Sequence, residues 1–436
     1  MIISKRMYIS VLFCFAYLTF LMFSMLGHIP TVGGYLNEIT NVGLVLFVII
    51  IFLRLQDYSV KEGFIFLILL SYGLLLAMHT NDYAFFKLSL MIFAAKGIDF
   101  RKCIRFDLCA RVVLTAIIVA LFFCGIAPDV TSDYNGLLRH SIGFQNPNHV
   151  GMNAFIIIIE ILYIAKMKLN ILRYFLIFAI LVAADRIAGS RTAEFIILIS
   201  IILATVYSYR SDFYKKTAVV MILRHGAIIC SIITFVVVCL YRAGNPATII
   251  LDRALSYRIT NISLYYDELG ISLFGGNSLI VEHTIDSVYG FSFIVLGIVT
   301  FTILLFFYYR LERILCDTNK PLAIIIFCFF LYGISERLWM YIDYNIFMLA
   351  FAELIYPYFS MDEGAYIYEI TFIRLDDQTE AIQQYDEEEF ARECFWGYDE
   401  PNSADMYSSI RLTRYDWENG VEEILETLEF GNSIKT

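Results

Sequence analysis

Arginine is the residue type in this sequence whose positions point most directly to chemistry. Arg139, Arg191 and Arg258 each lie in a short polar segment between long apolar stretches. A planar guanidinium group donates two parallel hydrogen bonds to phosphate or carboxylate oxygens, which a lysine ammonium group cannot do. These positions predict the binding of a phosphate-type anion. The alternative is that the arginines form salt bridges with acidic loop residues, for which the candidates are Asp185, Asp252, Asp267 and Glu336.

A second feature suited to anions is the segment that precedes His149. The sequence Asn146-Pro147-Asn148 ends an extended stretch, and Asn148 is predicted to cap the helix that follows. The start of a helix presents free N–H groups and the positive end of the helix dipole, which stabilise a bound anion. Asn146 and Asn148 are therefore interpreted as residues that shape the loop rather than as catalysts.

The elements that must position these residues are strongly apolar. Apolar residues make up 59% of the chain and charged residues only 17%, whereas about a quarter is usual in a soluble domain. Apolar runs close to the length that spans a bilayer recur up to residue 360. This pattern predicts an all-α polytopic membrane protein with about twelve transmembrane helices. The predicted spans are 7–27, 39–53, 63–78, 83–95, 110–127, 149–165, 170–184, 193–207, 226–241, 288–308, 321–335 and 338–356.

The distribution of lysine and arginine predicts the orientation in the membrane. With the N-terminus in the cytoplasm, all lysines of the loops and most arginines, including Arg111, fall in cytoplasmic segments. The outer segments, with long loops at 128–148 and 242–287, hold arginine but no lysine. Because both residues oppose translocation equally, this bias favours anion binding. The outer arginines are Arg139, Arg186, Arg191, Arg242, Arg253, Arg258 and Arg337.

Four charged residues, Lys87, Glu160, Asp343 and Glu353, lie within or near the ends of predicted spans. A charge inside the membrane is costly and marks a pathway or a buried partner. The alternative is that Lys87 extends to the interface and that Asp343 pairs with an arginine. No cysteine falls in an outer loop and no metal-ligand spacing occurs, so neither a disulfide nor a metal is expected.

The composition changes abruptly at Met361. Residues 1–360 carry a net charge of +5 and residues 361–436 a net charge of −15, which together give the −10 of the chain. The tail is predicted to be a small cytoplasmic α+β module with strands at 365–375 and 408–415 and helices at 379–395 and 418–430. It is either a solvated acidic appendage or a protein-interaction module, and its charge excludes binding to nucleic acid or anionic lipid.

Four short motifs follow one another on the predicted outer face. They are Arg-x-Ser-x-Gly-Phe-x-x-Pro-Asn-x-x-Gly at 139–151, Gly-Ser-Arg at 189–191, Leu-Ser-x-Arg with Gly-Ile-x-Leu-Phe-Gly at 255–275, and Asp-x-x-Tyr at 286–289. In these motifs the chain resembles Wzy-type polysaccharide polymerases, within the wider O-antigen polymerase and ligase superfamily. The resemblance covers about residues 1–358. Two departures occur: Tyr257 stands where the family has glycine, and Asp286 stands where ligases have histidine, which favours a polymerase.

The resemblance implies a reaction on the outer face of the bacterial plasma membrane. Oligosaccharide repeat units linked to undecaprenyl diphosphate are joined, and a lipid diphosphate is released. It implies no metal or other cofactor, and its implied partners are the lipid-linked oligosaccharides, the bilayer, a flippase and a chain-length regulator, without nucleic acid. The implied diphosphate ligands are Arg139, Arg191 and Arg258, then Arg253 and Arg337. The candidates for the base that accepts the hydroxyl proton are Asp286, His283 and His140.

Three other functions fit parts of the pattern. A lipid-linked oligosaccharide flippase or transporter would also bind diphosphates, but it would normally show an internal repeat and charges lining its core. A ligase-like transferase would need the missing histidine. A structural scaffold for the acidic tail would leave the lysine-free outer face unexplained. Asp286 itself is either the base or the N-cap of the helix predicted to begin at Val288.

Overall fold

The computed structural model describes residues 5–134, 137–277, 281, 284–356, 366–374, 380–385, 391–392, 395, 407–416 and 421–429. The chain divides into two compact units, Met1–Met361 and Asp362–Thr436. The first unit is built from helices and the second contains a β-sheet. Each unit has its own apolar core.

Fifteen α-helices form the first unit as the structure describes it. They are α1 (Lys5–Leu26), α2 (Gly33–Leu53), α3 (Val60–Thr80), α4 (Ala84–Ala94), α5 (Phe100–Phe123), α6 (Pro147–Ile164), α7 (Ile171–Ala188), α8 (Arg191–Tyr209), α9 (Thr217–Arg224), α10 (Gly226–Arg242), α11 (Pro246–Ala254), α12 (Arg258–Leu269), α13 (Val288–Ile294), α14 (Gly297–Thr318) and α15 (Lys320–Gly333).

Six of the described helices are long and apolar enough to cross a membrane, namely α1, α2, α3, α5, α6 and α8. A seventh candidate is the pair α9 and α10, which bend by 66° at their junction. Two further apolar helices, α4 and α15, are shorter. The helical membrane-protein class is therefore supported, whereas the expected count of about twelve spans is not confirmed.

The predicted span 288–308 is broken in the structure. Gly297 has φ +85°, a backbone conformation that favours glycine, and it separates α13 from α14. The segment around Gly275 crosses at this break, where Ile298 N donates to Ser272 O at 3.1 Å and Gly276 N donates to Val295 O at 3.0 Å. A Cβ atom at Gly297 would lie 2.2 Å from Gly275 N. The run is therefore divided between α13, which has seven residues, and α14, which has 22 residues and continues beyond the predicted end at Tyr308.

The last predicted span, 338–356, is not an α-helix. Residues 338–345 are irregular, and Ile346–Leu354 is a 3-10 helix. Nine residues of this helix type extend about 18 Å, which is too short for the bilayer core. All residues from Ile346 to Ala352 are buried. The segment is apolar because the other helices surround it.

Helix α6 is the most buried of the six candidate membrane helices in the first unit. In its most apolar window 78% of the residues are buried, compared with 22% in α3, which exposes its apolar side chains at the surface. Helix α6 contacts α5, α7, α8 and α15. It also begins directly after the loop that contains Arg139, so a deeply buried helix fixes the position of that loop. Within this loop β1 (Ser132–Tyr134) pairs with β2 (Leu137–Arg139) as a short antiparallel hairpin.

The second unit is a four-stranded antiparallel sheet. Its strands β3 (Tyr366–Arg374), β4 (Glu380–Tyr385), β5 (Tyr407–Asp416) and β6 (Val421–Glu429) are arranged in the order β4-β3-β5-β6. The two predicted strands are present, but the predicted helices 379–395 and 418–430 are wrong where they overlap β4 and β6. The apolar spacing of Ile424, Leu425 and Leu428 is typical of a helix. In the structure Leu425 and Leu428 pack against the core of the sheet and Ile424 is exposed. Leu425 is the extra residue of a bulge opposite Leu412 and Thr413, where the pairing of β6 with β5 shifts by one residue.

Candidate anion-binding site

Arg258 is positioned by the start of α12. The carboxylate of the buried Asp252 accepts hydrogen bonds from Ile259 N at 2.9 Å, from Thr260 N at 3.1 Å and from Thr260 Oγ1 at 2.5 Å. The Asp252 carboxylate therefore caps the helix by accepting from its first backbone N–H groups. Tyr257, directly before Arg258, has φ +64°. This left-handed conformation explains why glycine suits the position and shows that tyrosine occupies it under strain.

The guanidinium group of Arg258 joins three segments of the chain. It forms an ion pair with Glu336, its Nε lies 3.7 Å from Asp286 Oδ2, and its Nη1 donates to Thr192 Oγ1 at 3.4 Å. The side chain of Arg258 is only 9% exposed, while that of Asp286 is 33% exposed. A buried cation therefore faces a carboxylate that solvent can reach. The salt-bridge alternative is correct for Arg258 and Glu336.

Burial raises the pKa of Glu336, and the neighbouring Asp286 raises it further, while Arg258 and Arg337 oppose this shift. Burial alone would lower the pKa of Arg258, but the two carboxylates outweigh it, so that this pKa is raised overall. The cluster thus keeps a permanent positive charge at Arg258 beside a carboxyl group that protonates more readily than usual.

Arg337 lies beside the same cluster, on aromatic rings. Its guanidinium carbon is 4.7 Å from the centroid of the Phe291 ring and 5.8 Å from that of Tyr341. Stacking of this kind holds the guanidinium plane while its N–H edges stay available. Ser287, not Asp286, caps α13, because its hydroxyl accepts from Gly290 N. The N-cap alternative for Asp286 is therefore wrong.

Arg139 lies in the loop between α5 and α6 and bonds to two other segments. Its Nε donates to Ala188 O at 2.5 Å and its Nη2 to Asn148 Oδ1 at 2.6 Å, so it ties the loop to the Gly-Ser-Arg turn. The prediction that Asn148 caps α6 is wrong. Asn146 is the N-cap, and its side chain accepts from His149 N at 3.1 Å. Proline at the first helical position places the cap one residue before it.

The remaining predicted site residues are more dispersed. His140 Nδ1 lies 2.7 Å from Asp129 Oδ2, and the same carboxylate accepts from the backbone of Ser141 at 2.9 Å. This arrangement orders the loop. Arg191 is exposed at the start of α8, next to the Thr192 that contacts Arg258. Arg253 is exposed on α11. His283 lies outside the described residues.

An apolar cleft of about 490 Å³ lies between the end of α3, with Tyr72 and His79, and residues 272–275 of the Gly-Ile-x-Leu-Phe-Gly motif. Asp82, two residues after α3, accepts a 3.0 Å hydrogen bond from the hydroxyl group of Tyr341. The ring of Tyr341 lies 5.8 Å from the guanidinium carbon of Arg337. Sequence reasoning missed this cleft because its walls are ordinary apolar residues far apart in the chain.

Charged residues also lie deep inside the helical unit. Arg111, predicted to face the cytoplasm, is buried in the middle of α5, so that prediction is wrong. It pairs with Asp107 and lies 3.7 Å from Glu160. Its Nη2 donates to the backbone carbonyl of Asp343 at 2.6 Å, not to the carboxylate. A spacing of four residues between Asp107 and Arg111 on α5 is the sequence signal that reveals this pair.

Among the described residues, no group of three or more histidine, cysteine or acidic side chains is arranged to hold a metal ion. No protein-family model, curated protein or solved structure matches this chain.

Proposed function

We propose that the membrane unit polymerises oligosaccharide repeat units linked to undecaprenyl diphosphate on the outer face of the plasma membrane. The observation that carries this proposal is the convergence of Arg258, Arg337, Asp286 and Glu336. They come from three segments that are far apart in the sequence. Thr192, the residue after Arg191, accepts a hydrogen bond from Arg258. Two guanidinium groups and an accessible carboxylate are the groups that glycosyl transfer from a lipid diphosphate requires.

The proposed reaction assigns a role to each charged group. The acceptor hydroxyl oxygen bonds to the anomeric carbon, and the bond from that carbon to the phosphate oxygen breaks. Undecaprenyl diphosphate leaves with the electron pair, and Arg258 and Arg337 stabilise the charge that accumulates on its oxygens. The hydroxyl proton passes to Asp286, whose partly exposed carboxylate an acceptor can reach.

The apolar cleft supports the lipid part of this proposal. It is walled by Tyr72 and His79 at the end of α3 and by residues 272–275, which belong to one of the motifs that resemble the polymerase family. A polyprenyl chain is apolar over its whole length and gains free energy from burial in such a cleft. A substrate with an anionic head and a long apolar tail matches both features.

The test is complementation of a host strain that lacks the chain, followed by a gel of surface glycan sizes. We expect the wild-type chain to restore long polymer and Arg258→Lys to leave single repeat units. Lysine keeps the charge but loses the bidentate geometry, and loss of one such donor costs about 3–4 kcal/mol, or roughly a hundredfold to a thousandfold in rate.

The matched control is Arg242→Lys. Arg242 is also predicted to be an outer arginine and has a carboxylate partner, Asp267 at 2.7 Å. Its contacts with Asp267, Ser263 and the Tyr266 ring do not involve the proposed reacting groups. This variant should retain the full range of polymer sizes. Normal polymer in Arg258→Lys, at equal protein level, refutes the proposal.

Transport of lipid-linked oligosaccharide is the second candidate, and the buried charges of Arg111, Asp107 and Glu160 favour it. The same deletion strain separates the two functions. Single repeat units on the surface indicate a missing polymerase, whereas a complete absence of surface glycan indicates a missing transporter or ligase. The acidic unit is proposed to be a protein-interaction module, and a chain truncated after residue 360 tests whether polymer length depends on it.

A further inference from the structure

A strip of polar side chains follows the interface between α5 and α6. Asp107, Arg111 and Thr115 are spaced by four residues on α5, so they lie along one face of that helix. Glu160 and Asn153, seven residues apart on α6, face them. Asn153 Nδ2 donates to Thr115 Oγ1 at 2.8 Å, and Glu160 Oε1 lies 3.7 Å from Arg111 Nε. Five polar residues in one interface of an apolar helical unit require a balanced set of charges and hydrogen bonds.

The hydrogen bonds of Arg111 leave one carboxyl group without a donor. Its Nε lies 3.0 Å from Asp107 Oδ1 and donates to Asp107 Oδ2 at 3.1 Å, while its Nη2 donates to Asp343 O at 2.6 Å and contacts the Tyr17 hydroxyl at 3.4 Å. Among the described residues, no hydrogen-bond donor reaches either oxygen of Glu160 or Oδ1 of Asp107. Both acidic side chains are fully buried.

The charges do not balance if every group is ionised. Two carboxylates face one guanidinium group, which leaves one uncompensated negative charge in the interior. The other titratable groups that face the cluster are Tyr17 on α1, Cys109 on α5 and Asp343 beyond α15. Lys87 on α4 interacts with Asp343, so these two together add no net charge. His149 lines the same small cavity as Arg111, and an imidazole with its ordinary pKa of about 6.5 is uncharged at neutral pH. An uncompensated buried charge is strongly unfavourable, so the site must take up a positive charge.

We propose that Asp107, Arg111 and Glu160 form a proton-binding site, in which a carboxyl proton on Glu160 Oε2 is donated to Asp107 Oδ1. One proton neutralises the cluster and gives hydrogen-bond partners to two of the three oxygens that lack them. The third, Glu160 Oε1, faces Arg111 Nε. Both carboxyl groups approach Arg111 Nε, at 3.0 Å for Asp107 Oδ1 and 3.7 Å for Glu160 Oε1, so they are neighbours around one nitrogen atom, as this shared proton requires.

A small cavity lies between Arg111 and the loop that precedes α6. A cavity of about 10 Å³, close to the smallest space that holds one water molecule, is lined by Arg111, Asn153, His149 and Phe144. His149 and Phe144 belong to the outer loop and the first turn of α6. In the proposed site, this cavity and the polar strip are the path by which the proton would exchange with the loop before α6. The proposal does not depend on the polymerase reaction.

Infrared difference spectroscopy on the purified full-length chain in lipid nanodiscs tests this proposal. We expect the wild type at neutral pH to show the carbonyl stretch of a protonated carboxylic acid, shifted in D2O. This band should be lost in Glu160→Gln and also in Asp107→Asn, because Arg111 alone neutralises the single carboxylate that remains in the latter. Glutamine mimics the protonated acid, so Glu160→Gln keeps the fold and carries the test if Asp107→Asn does not fold.

Glu312→Gln is the matched control. Glu312 on α14 is fully buried with an oxygen that lacks a hydrogen-bond partner among the described residues, but it is not part of this cluster. Its replacement should leave the Glu160 band in place, so that adding Glu160→Gln removes further intensity. An unchanged spectrum in Glu160→Gln overturns the proposal. A thermal midpoint that rises with Na⁺ in the wild type and not in Glu160→Gln, with no carboxylic acid band, also overturns it, because a metal cation then occupies the site.

Discussion

Replacement of Glu336 by glutamine separates the ion pair of Arg258 from the proposed role of Arg258 as a diphosphate ligand. Glu336 is the ion-pair partner of Arg258, and a diphosphate that binds this guanidinium group must approach the same carboxylate. Glutamine keeps an oxygen that accepts from Arg258 Nη2, so the orientation of the guanidinium group is retained while the negative charge is removed. We therefore expect the affinity for a diphosphate to increase.

The size of this effect follows from the geometry. An anion that binds the far side of Arg258 lies about 6 Å from the Glu336 carboxylate, where two unit charges repel by about 3 kcal/mol at an effective dielectric constant of 20. Solvent and salt reduce this value at a side chain that is 15% exposed. A remaining effect of about 1.4 kcal/mol corresponds to a tenfold increase in affinity.

Binding of farnesyl diphosphate to the purified chain in nanodiscs measures this affinity, with uncharged farnesol as the control ligand. Because burial raises the pKa of Glu336, lowering the pH protonates this group and frees Arg258. Affinity in the wild type should therefore rise as the pH falls through the pKa of Glu336, and this dependence should disappear in Glu336→Gln. Equal or weaker binding by the variant, with the wild-type pH dependence retained, refutes the assignment of Arg258 as the anion ligand.

Two further predictions concern the start of α12. Tyr257→Gly should raise the thermal unfolding midpoint, because glycine relieves about 1 kcal/mol of strain at φ +64°, and a lower midpoint would contradict this interpretation. Asp252→Ala should lower the midpoint through the loss of about 1–2 kcal/mol of helix capping, and polymer length should fall with it because Arg258 loses its fixed position. Polymer of normal length from a clearly destabilised Asp252→Ala would show that the cap does not position Arg258.

Most helices of the first unit could be predicted from apolar runs. The runs 288–308 and 338–356 were each predicted to be a single membrane span, which the structure does not show. Most side chains of residues 288–297 and 338–356 are buried in protein, which accounts for their apolar character. Burial in protein and exposure to lipid produce the same hydropathy. Gly297 is the residue that breaks the first run, and its left-handed φ depends on the close approach of Gly275. That contact between distant residues leaves no local signal in the sequence.

The candidate site was partly predictable. Arg258 and Asp286 could be selected from their motifs, and the structure places them 3.7 Å apart. Glu336 was recognised only as one of several carboxylates, since nothing local in the sequence distinguishes the partner of Arg258 from Asp252. Arg111 was misplaced because the positive-inside rule counts arginines near span ends and does not detect buried carboxylate partners on neighbouring helices.

The most direct test of the central claim is reconstitution of the purified chain in liposomes with one lipid-linked repeat unit as the sole substrate. The proposed function predicts a ladder of polymer sizes and release of one undecaprenyl diphosphate for each new linkage, both absent with Arg258→Lys. Movement of the intact lipid-linked unit across the bilayer, with no ladder and no released diphosphate, would contradict it.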